Sequence, residues 1–169
     1  YNTGGVYKVR LMETPASDPS DLGGKGYVTT TNSAQTGTTT QITLAAADSA
    51  ASGVYPGMAL FVTEGKGAGQ YGYIDTYSSS SKIATIKKYS DNSAGWDTLG
   101  GKSVEATLDS TTIYEITPRV VIGAPQNDGS TTPRQAVARA VVTGDVISNV
   151  KILDCGASYT SAPTVSFTD

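Results

Sequence analysis

The stretch "EGKGAGQYGYID", residues 64–75, holds the spacing that comes nearest to chemistry. From Gly67 to Gly72 it reads Gly-x-Gly-x-x-Gly, the pattern with which a nucleotide-binding loop brings backbone amides against a pyrophosphate. That chemistry needs a helix after the loop, because the helix N-terminus supplies the amides and the favourable dipole. Here Tyr71, Gly72, Tyr73, Ile74, Thr76 and Tyr77 follow, which is strand chemistry. The acidic ribose ligand expected about twenty residues on falls in the Asn92–Gly95 turn. The glycines therefore read as bends between two strands, where positive φ is needed, and no cofactor is expected. "GGKS", Gly100–Ser103, looks like the end of a P-loop, but the position of its first glycine is Trp96 and no helical pattern follows.

Other residue types that do chemistry are sparse. Asp91/Asp97 and Asp145/Asp154 are the carboxylate pairs to consider for glycoside hydrolysis, which sets two carboxyls across one bond. Asp91 and Asp97 lie among Asn92, Ser93 and Gly95, where an aspartate ordinarily caps its own turn. "QNDG", residues 126–129, offers oxygen ligands but lacks the spaced acidic positions of a calcium loop. The single Cys155 supplies neither an internal disulfide nor a zinc cluster. Histidine is absent, which removes the commonest general base and the commonest metal ligand. The expectation is a non-enzymatic protein with no catalytic, cofactor or metal residue. Four aromatic side chains stand out as the glycan or interface contacts to weigh: Trp96, read first as a packing anchor and otherwise as a ring that stacks on sugar, and Tyr71, Tyr73 and Tyr77, a row on one strand face read in turn as a half-buried stripe, an oligomer interface or a glycan platform.

The elements that would position these residues are strands and turns. The 169 residues carry Tyr over Phe by ten to two, only 16% charged residues and a net charge of −3. That balance suits half-exposed pleated surfaces and lacks the basic stripe that a nucleic-acid backbone requires. No apolar run is long enough to cross a bilayer as a helix, so no membrane partner is expected either. "GVYKVRLM" (5–12) alternates as a strand, and "TPASDPSDLGGKG" (14–26) reads as a linker. "TTQITLAA" (39–46) and "GMALFVTE" (57–64) read as strands, with a short helical turn expected around 45–52.

"QYGYIDTY" (70–77) and "KIATIKKY" (82–89) form a hairpin across four serines. Residues 111–122 form a strand interrupted by Pro118. "RQAVARAVV" (134–142) and "VISNVKIL" (146–153) flank Gly144-Asp145 as a second hairpin. A two-residue turn there would set Val141 opposite Ser148 and Arg139 opposite Val150. A helix over 134–142 is the rival reading, since Pro133 can open one and alanine favours it. "SAPTVSFTD" (161–169) closes the chain as a strand. The fold expected is all-β: a small antiparallel β-barrel or sandwich domain over 27–122, preceded by a strand and linker over 1–26. A smaller, truncated β-hairpin module over 123–169 follows it.

Residues 27–117 resemble a module of virion structural proteins of tailed bacteriophages, found in tail fibres, tailspikes, baseplate-associated chains and head fibres. The matching elements are Ala34–Thr38, the pair Gly57-Met58, Gly65–Gln70, Ser81–Ile86 and Ser110–Ile116. "SAGWD" (93–97) and "YEITPRV" (114–120) look closest to large structural proteins of contractile-tailed phages of marine bacteria. "GASYTSAPTVSFTD" (156–169) is similar to a short unit repeated in such proteins, with Ser158 where a glycine is more usual.

The resemblance implies a structural component of the extracellular virion particle, cut from a longer chain. It implies other virion proteins and further copies of itself as partners, a homotrimer being favoured by analogy with phage fibres. The alternative class is a carbohydrate-binding module for a host surface glycan, which requires Trp96 and some of the three tyrosines to be exposed together. A polysaccharide depolymerase working through two carboxylates is the third.

Overall fold

A computed structural model of the chain describes residues 30–49, 51–126, 129, 132–143 and 146–168. The strand and linker expected over 1–26 lie outside these. The chain divides into two compact units, Thr29–Thr117 and Pro118–Thr168. Both are antiparallel β, and no α-helix occurs among the described residues; one 3-10 turn spans Leu99–Gly101. A helical turn was expected around 45–52; of these residues, 45–49 and 51–52 are described and are not helical.

The first unit is built from β1 (Thr30–Ser33), β2 (Thr36–Thr38), β3 (Gln41–Thr43), β4 (Ala59–Glu64), β5 (Gln70–Ser78), β6 (Ile83–Lys87), β7 (Asp97–Thr98), β8 (Thr107–Leu108) and β9 (Ile113–Thr117). These nine strands pair in the order β1-β9-β4-β5-β6-β3-β2-β8, with β7 added on β5. The path is open at β1 and β8, so of the two architectures expected the closed barrel is not formed. Ala34 and Gln35 nevertheless carry the chain from β1 at one end of the path to β2, next to the last strand at the other, so the sheet curls round a single core. Ile42, Leu60, Ile74, Ile86, Leu108, Tyr114 and Ile116 meet there, each nearly or wholly removed from water. Alternation dictates this: in β9 Tyr114 and Ile116 point inward while Ile113 and Glu115 stay half-exposed.

The second unit has β10 (Arg119–Ile122), β11 (Val137–Thr143), β12 (Val146–Asp154) and β13 (Val165–Thr168), ordered β12-β11-β10-β13. Its core gathers Val120, Ile122, Ala138, Ala140, Ile147, Val150 and Tyr159. The sequence reading kept residues 119–122 with the first module; the compact units divide at Pro118 instead. Proline has no amide to donate to a ladder. The residues beyond it pair with β11 and β13.

The strand reading of 134–142 prevails over the helix, since Val137–Thr143 pairs along its length with β12. Thr143 faces Val146 and Val142 faces Ile147, the register of a two-residue turn. The turn residues Gly144 and Asp145 themselves lie outside the description. Further from the turn the expected pairs slip by one: Val141 faces Asn149 and Arg139 faces Lys151. Ser148 is the extra residue of a bulge. Its hydroxyl donates to the Val141 carbonyl at 3.1 Å, bonding the extra residue back to the facing strand.

Candidate functional site

The glycine loop, residues 65–69, joins β4 to β5 and leads straight into strand. Gly65, Gly67 and Gly69 all have positive φ, at 71°, 80° and 96°. At Gly65 a side chain is excluded outright, because a Cβ would stand 1.8 Å from the Thr111 carbonyl oxygen. The amides that a phosphate would need are already used. Ala68 donates to the Gly65 carbonyl at 3.2 Å, Gly69 to Val62 at 2.9 Å and Gln70 to Gly67 at 2.9 Å. Lys66 completes the clamp: its carbonyl accepts the Thr112 hydroxyl at 2.8 Å and its ammonium donates to the Thr107 hydroxyl at 2.8 Å. The loop is a fastener between β5 and the segment leading into β9, and it offers no helix end to an anion.

The four aromatic residues singled out from the sequence do not share a face. Tyr71 and Tyr73 lie on one side of β5, Tyr71 stacked on Phe61 at 6.0 Å and both rings edge-on to Tyr89. A bulge at Asp75 then reverses the alternation: Ile74 faces Ile86, but Thr76 faces Thr85. Tyr77 consequently turns into the core beside Ile74, edge-on to Tyr55 at 5.0 Å. Strict alternation would have kept it with Tyr71 and Tyr73. Trp96 enters the same core and donates its indole N–H to the Thr38 carbonyl at 2.9 Å. Relative exposure is 2% for Trp96, 8% for Tyr71 and Tyr73, and 5% for Tyr77. The exposed platform that a glycan reading requires is not what these rings form.

The carboxylates behave as turn caps. Asp91 accepts the Ser93 amide at 2.9 Å and the Ser93 hydroxyl at 2.6 Å, and these bonds hold its carboxyl below the usual range. Asp97 accepts the amides of Tyr89 and Ser90 at 2.7 and 3.0 Å and the Ser90 hydroxyl at 2.7 Å. Asp109 repeats the pattern with Thr111 and is lowered in the same way. Asp154 accepts the Gly156 amide at 2.8 Å and pairs with Arg134. Asp145 lies outside the described residues, as do Asn127 and Asp128 of the calcium candidate. Among the described residues no group of three or more Cys, Asp or Glu is placed to hold a metal.

The densest polar cluster was not anticipated. Asp48, 6% exposed, sits in the turn after β3 and accepts the Asn32 side-chain amide and the Tyr114 hydroxyl. The same hydroxyl accepts the Ala45 amide at 2.8 Å, so Tyr114 ties both ends of the turn to β9. Next to it the Tyr55 hydroxyl accepts the Ser49 amide at 3.2 Å, and the Tyr77 hydroxyl donates to the Ser49 carbonyl at 2.8 Å. Lys82 donates to the carbonyls of Asp48 and Ser49 at 2.9 and 3.1 Å. Burial pushes the Tyr114 hydroxyl well above its ordinary range, and the carboxylate of Asp48 reinforces the shift. The hydroxyl of Tyr77 is raised chiefly by burial too. The cluster stitches residues 45–49 into the curled sheet. The only signal in the sequence is one aspartate in the run "AAADSAAS".

Comparison with known proteins finds no matching family, no similar curated protein and no similar solved structure.

Proposed function

We propose that the chain is a non-enzymatic structural component of a bacteriophage virion, a fibre, tail or capsid appendage working through β-rich assembly. The observation that carries this reading is a coincidence of boundaries. The stretch that resembles the virion module, residues 27–117, coincides closely with the compact unit Thr29–Thr117. The elements that carry the resemblance fall at joints of the fold. Gly57 has a φ of 94° just before β4, Gly65–Gln70 is the fastening loop, and Ser81–Ile86 runs into β6. Ser110–Ile116 supplies the Thr111 and Thr112 contacts to that loop and the inward residues of β9.

The site chemistry supports the same reading. The amides of Ala68, Gly69 and Gln70 are taken by carbonyls of the loop and of β4, carboxylates cap turns, and the candidate rings are buried. No observation favours the glycan-binding alternative over it. The test is mass spectrometry of purified virions alongside the infected-cell lysate from which they came. Peptides of the chain enriched in the particle are expected. Peptides confined to the lysate would overturn the reading.

A further inference from the structure

Among the described residues the second unit leaves two sheet edges unpaired, β12 and β13, and they are not alike. β12 is guarded: it carries a bulge at Ser148 and an exposed Lys151, and the Asn149 side chain accepts the adjacent Val150 amide at 2.8 Å. Devices of this kind are how natural sheets discourage edge pairing. β13 has none of them. It reads Val165-Ser166-Phe167-Thr168, uncharged and without a bulge, and among the described residues nothing pairs with its outer side.

The orientation of its backbone follows from the ladder. The Gly123 amide donates to the Thr164 carbonyl at 2.8 Å, so that opposed pair is a hydrogen-bonded one. Bonded and non-bonded pairs alternate along an antiparallel ladder. Ser166 and Thr168 therefore bond to Val121 and Arg119, whereas Val165 and Phe167 turn their N–H and C=O groups outward. Their side chains lie opposite Ile122 and Val120 on the core face, and both remain half-exposed.

We infer that β13 is a self-association edge, pairing antiparallel with β13 of a second copy about a two-fold axis at Ser166. In that register Val165 of one copy faces Phe167 of the other, and each of these residues offers its outward N–H and C=O. All of the outward groups are then satisfied, and the apolar face continues from one sheet into the next. A second copy is the fitting occupant because the strand meets itself with no like charges opposed. The corresponding pairing of β12 would bring lysines together and leave its bulge unmatched. Pro163 ends the pairing, since it has no amide to contribute.

The inference deepens the assembly reading above by naming a contact, and it rests on that reading only for its purpose. The test is sedimentation of the purified chain over a range of concentrations, for the wild type, Ser166→Lys, Ser166→Glu and a mixture of the two variants. Ser166 is exposed and its backbone bonds are unchanged by either substitution, so the unit stays folded. A concentration-dependent dimer is expected for the wild type. Each variant alone should weaken it about fivefold or more, and mixing them should restore it. A wild-type chain that stays monomeric, or a dimer indifferent to both charges, would overturn the proposal. Either result leaves the virion mass-spectrometry experiment untouched, so the two failures are distinguishable.

Discussion

Tyr114 shows how much one side chain carries in this fold. Its hydroxyl donates to Asp48, accepts from Ala45, and is wholly buried. Removing it in Tyr114→Phe strands a carboxylate oxygen and an amide together, each of which loses its partner. The expected loss is about 2–4 kcal/mol, measured as a lower urea midpoint at neutral pH. The pH dependence has a definite sign. The hydroxyl is raised above its ordinary value of 10.0 in the folded chain, so its contribution is complete below about pH 10. It is lost as pH rises, because the unfolded chain ionises the phenol first. Wild-type stability should fall by up to about 1.4 kcal/mol per pH unit from this group alone above that point. The Tyr114→Phe variant should show a shallower alkaline slope, with Tyr77 and Lys87, both also raised, still contributing in the same direction. The phenol was visible in the sequence, but its partner was not. Nothing in "AAADSAAS" tells a buried aspartate from one on a surface turn, because the burial is supplied by β9 some sixty residues away.

At the scale of elements, alternation identified strands well and faces poorly. The β5–β6 hairpin, the interruption at Pro118 and the β11–β12 pair were all legible from apolar period and turn residues. The bulges at Asp75 and Ser148 were invisible, and each reversed what lies beyond it. The Asp75 bulge turns Tyr77 into the core, and the Ser148 bulge shifts Val141 onto Asn149. A single inserted residue changes parity without changing composition, so period counting misses it. The two roles of Asp75 separate cleanly by experiment. Its side chain makes only a surface pair with Lys87, at 2.9 Å, so Asp75→Ala should cost less than about 1 kcal/mol in thermal unfolding. Deleting the residue should instead abolish the cooperative transition, since it would swing Tyr77 out of the core. A deletion variant as stable as Asp75→Ala would show that the bulge does not set the parity.

For the molecule as a whole, the two units have separate cores, one around Leu60 and Tyr114 and one around Ile122 and Ala138. The second is fastened by Tyr159, whose hydroxyl accepts the Ala136 amide at 2.9 Å and donates to the Gly123 carbonyl at 3.0 Å. Tyr159→Phe should accelerate amide exchange across β10–β13 by the equivalent of about 1–3 kcal/mol and leave the amides of β4 and β5 protected. Equal acceleration in both units would show one cooperative block. Ser158, beside that tyrosine, adopts a φ of 65°, the conformation glycine takes most readily. Composition and the missing histidine narrowed the function without choosing it. The class of particle enters through resemblance, while the turn caps and buried rings needed the folded chain.

The pairing of β1 with β9 has a mechanical consequence. Thr30 lies opposite Ile116, so the chain enters and leaves the first unit at the same end of one antiparallel pair. Tension applied through the flanking chain would load that pair like a zipper, parting its bonds in turn, and not as a lap joint that resists sliding. A longer chain containing this unit would gain extensible slack under pull.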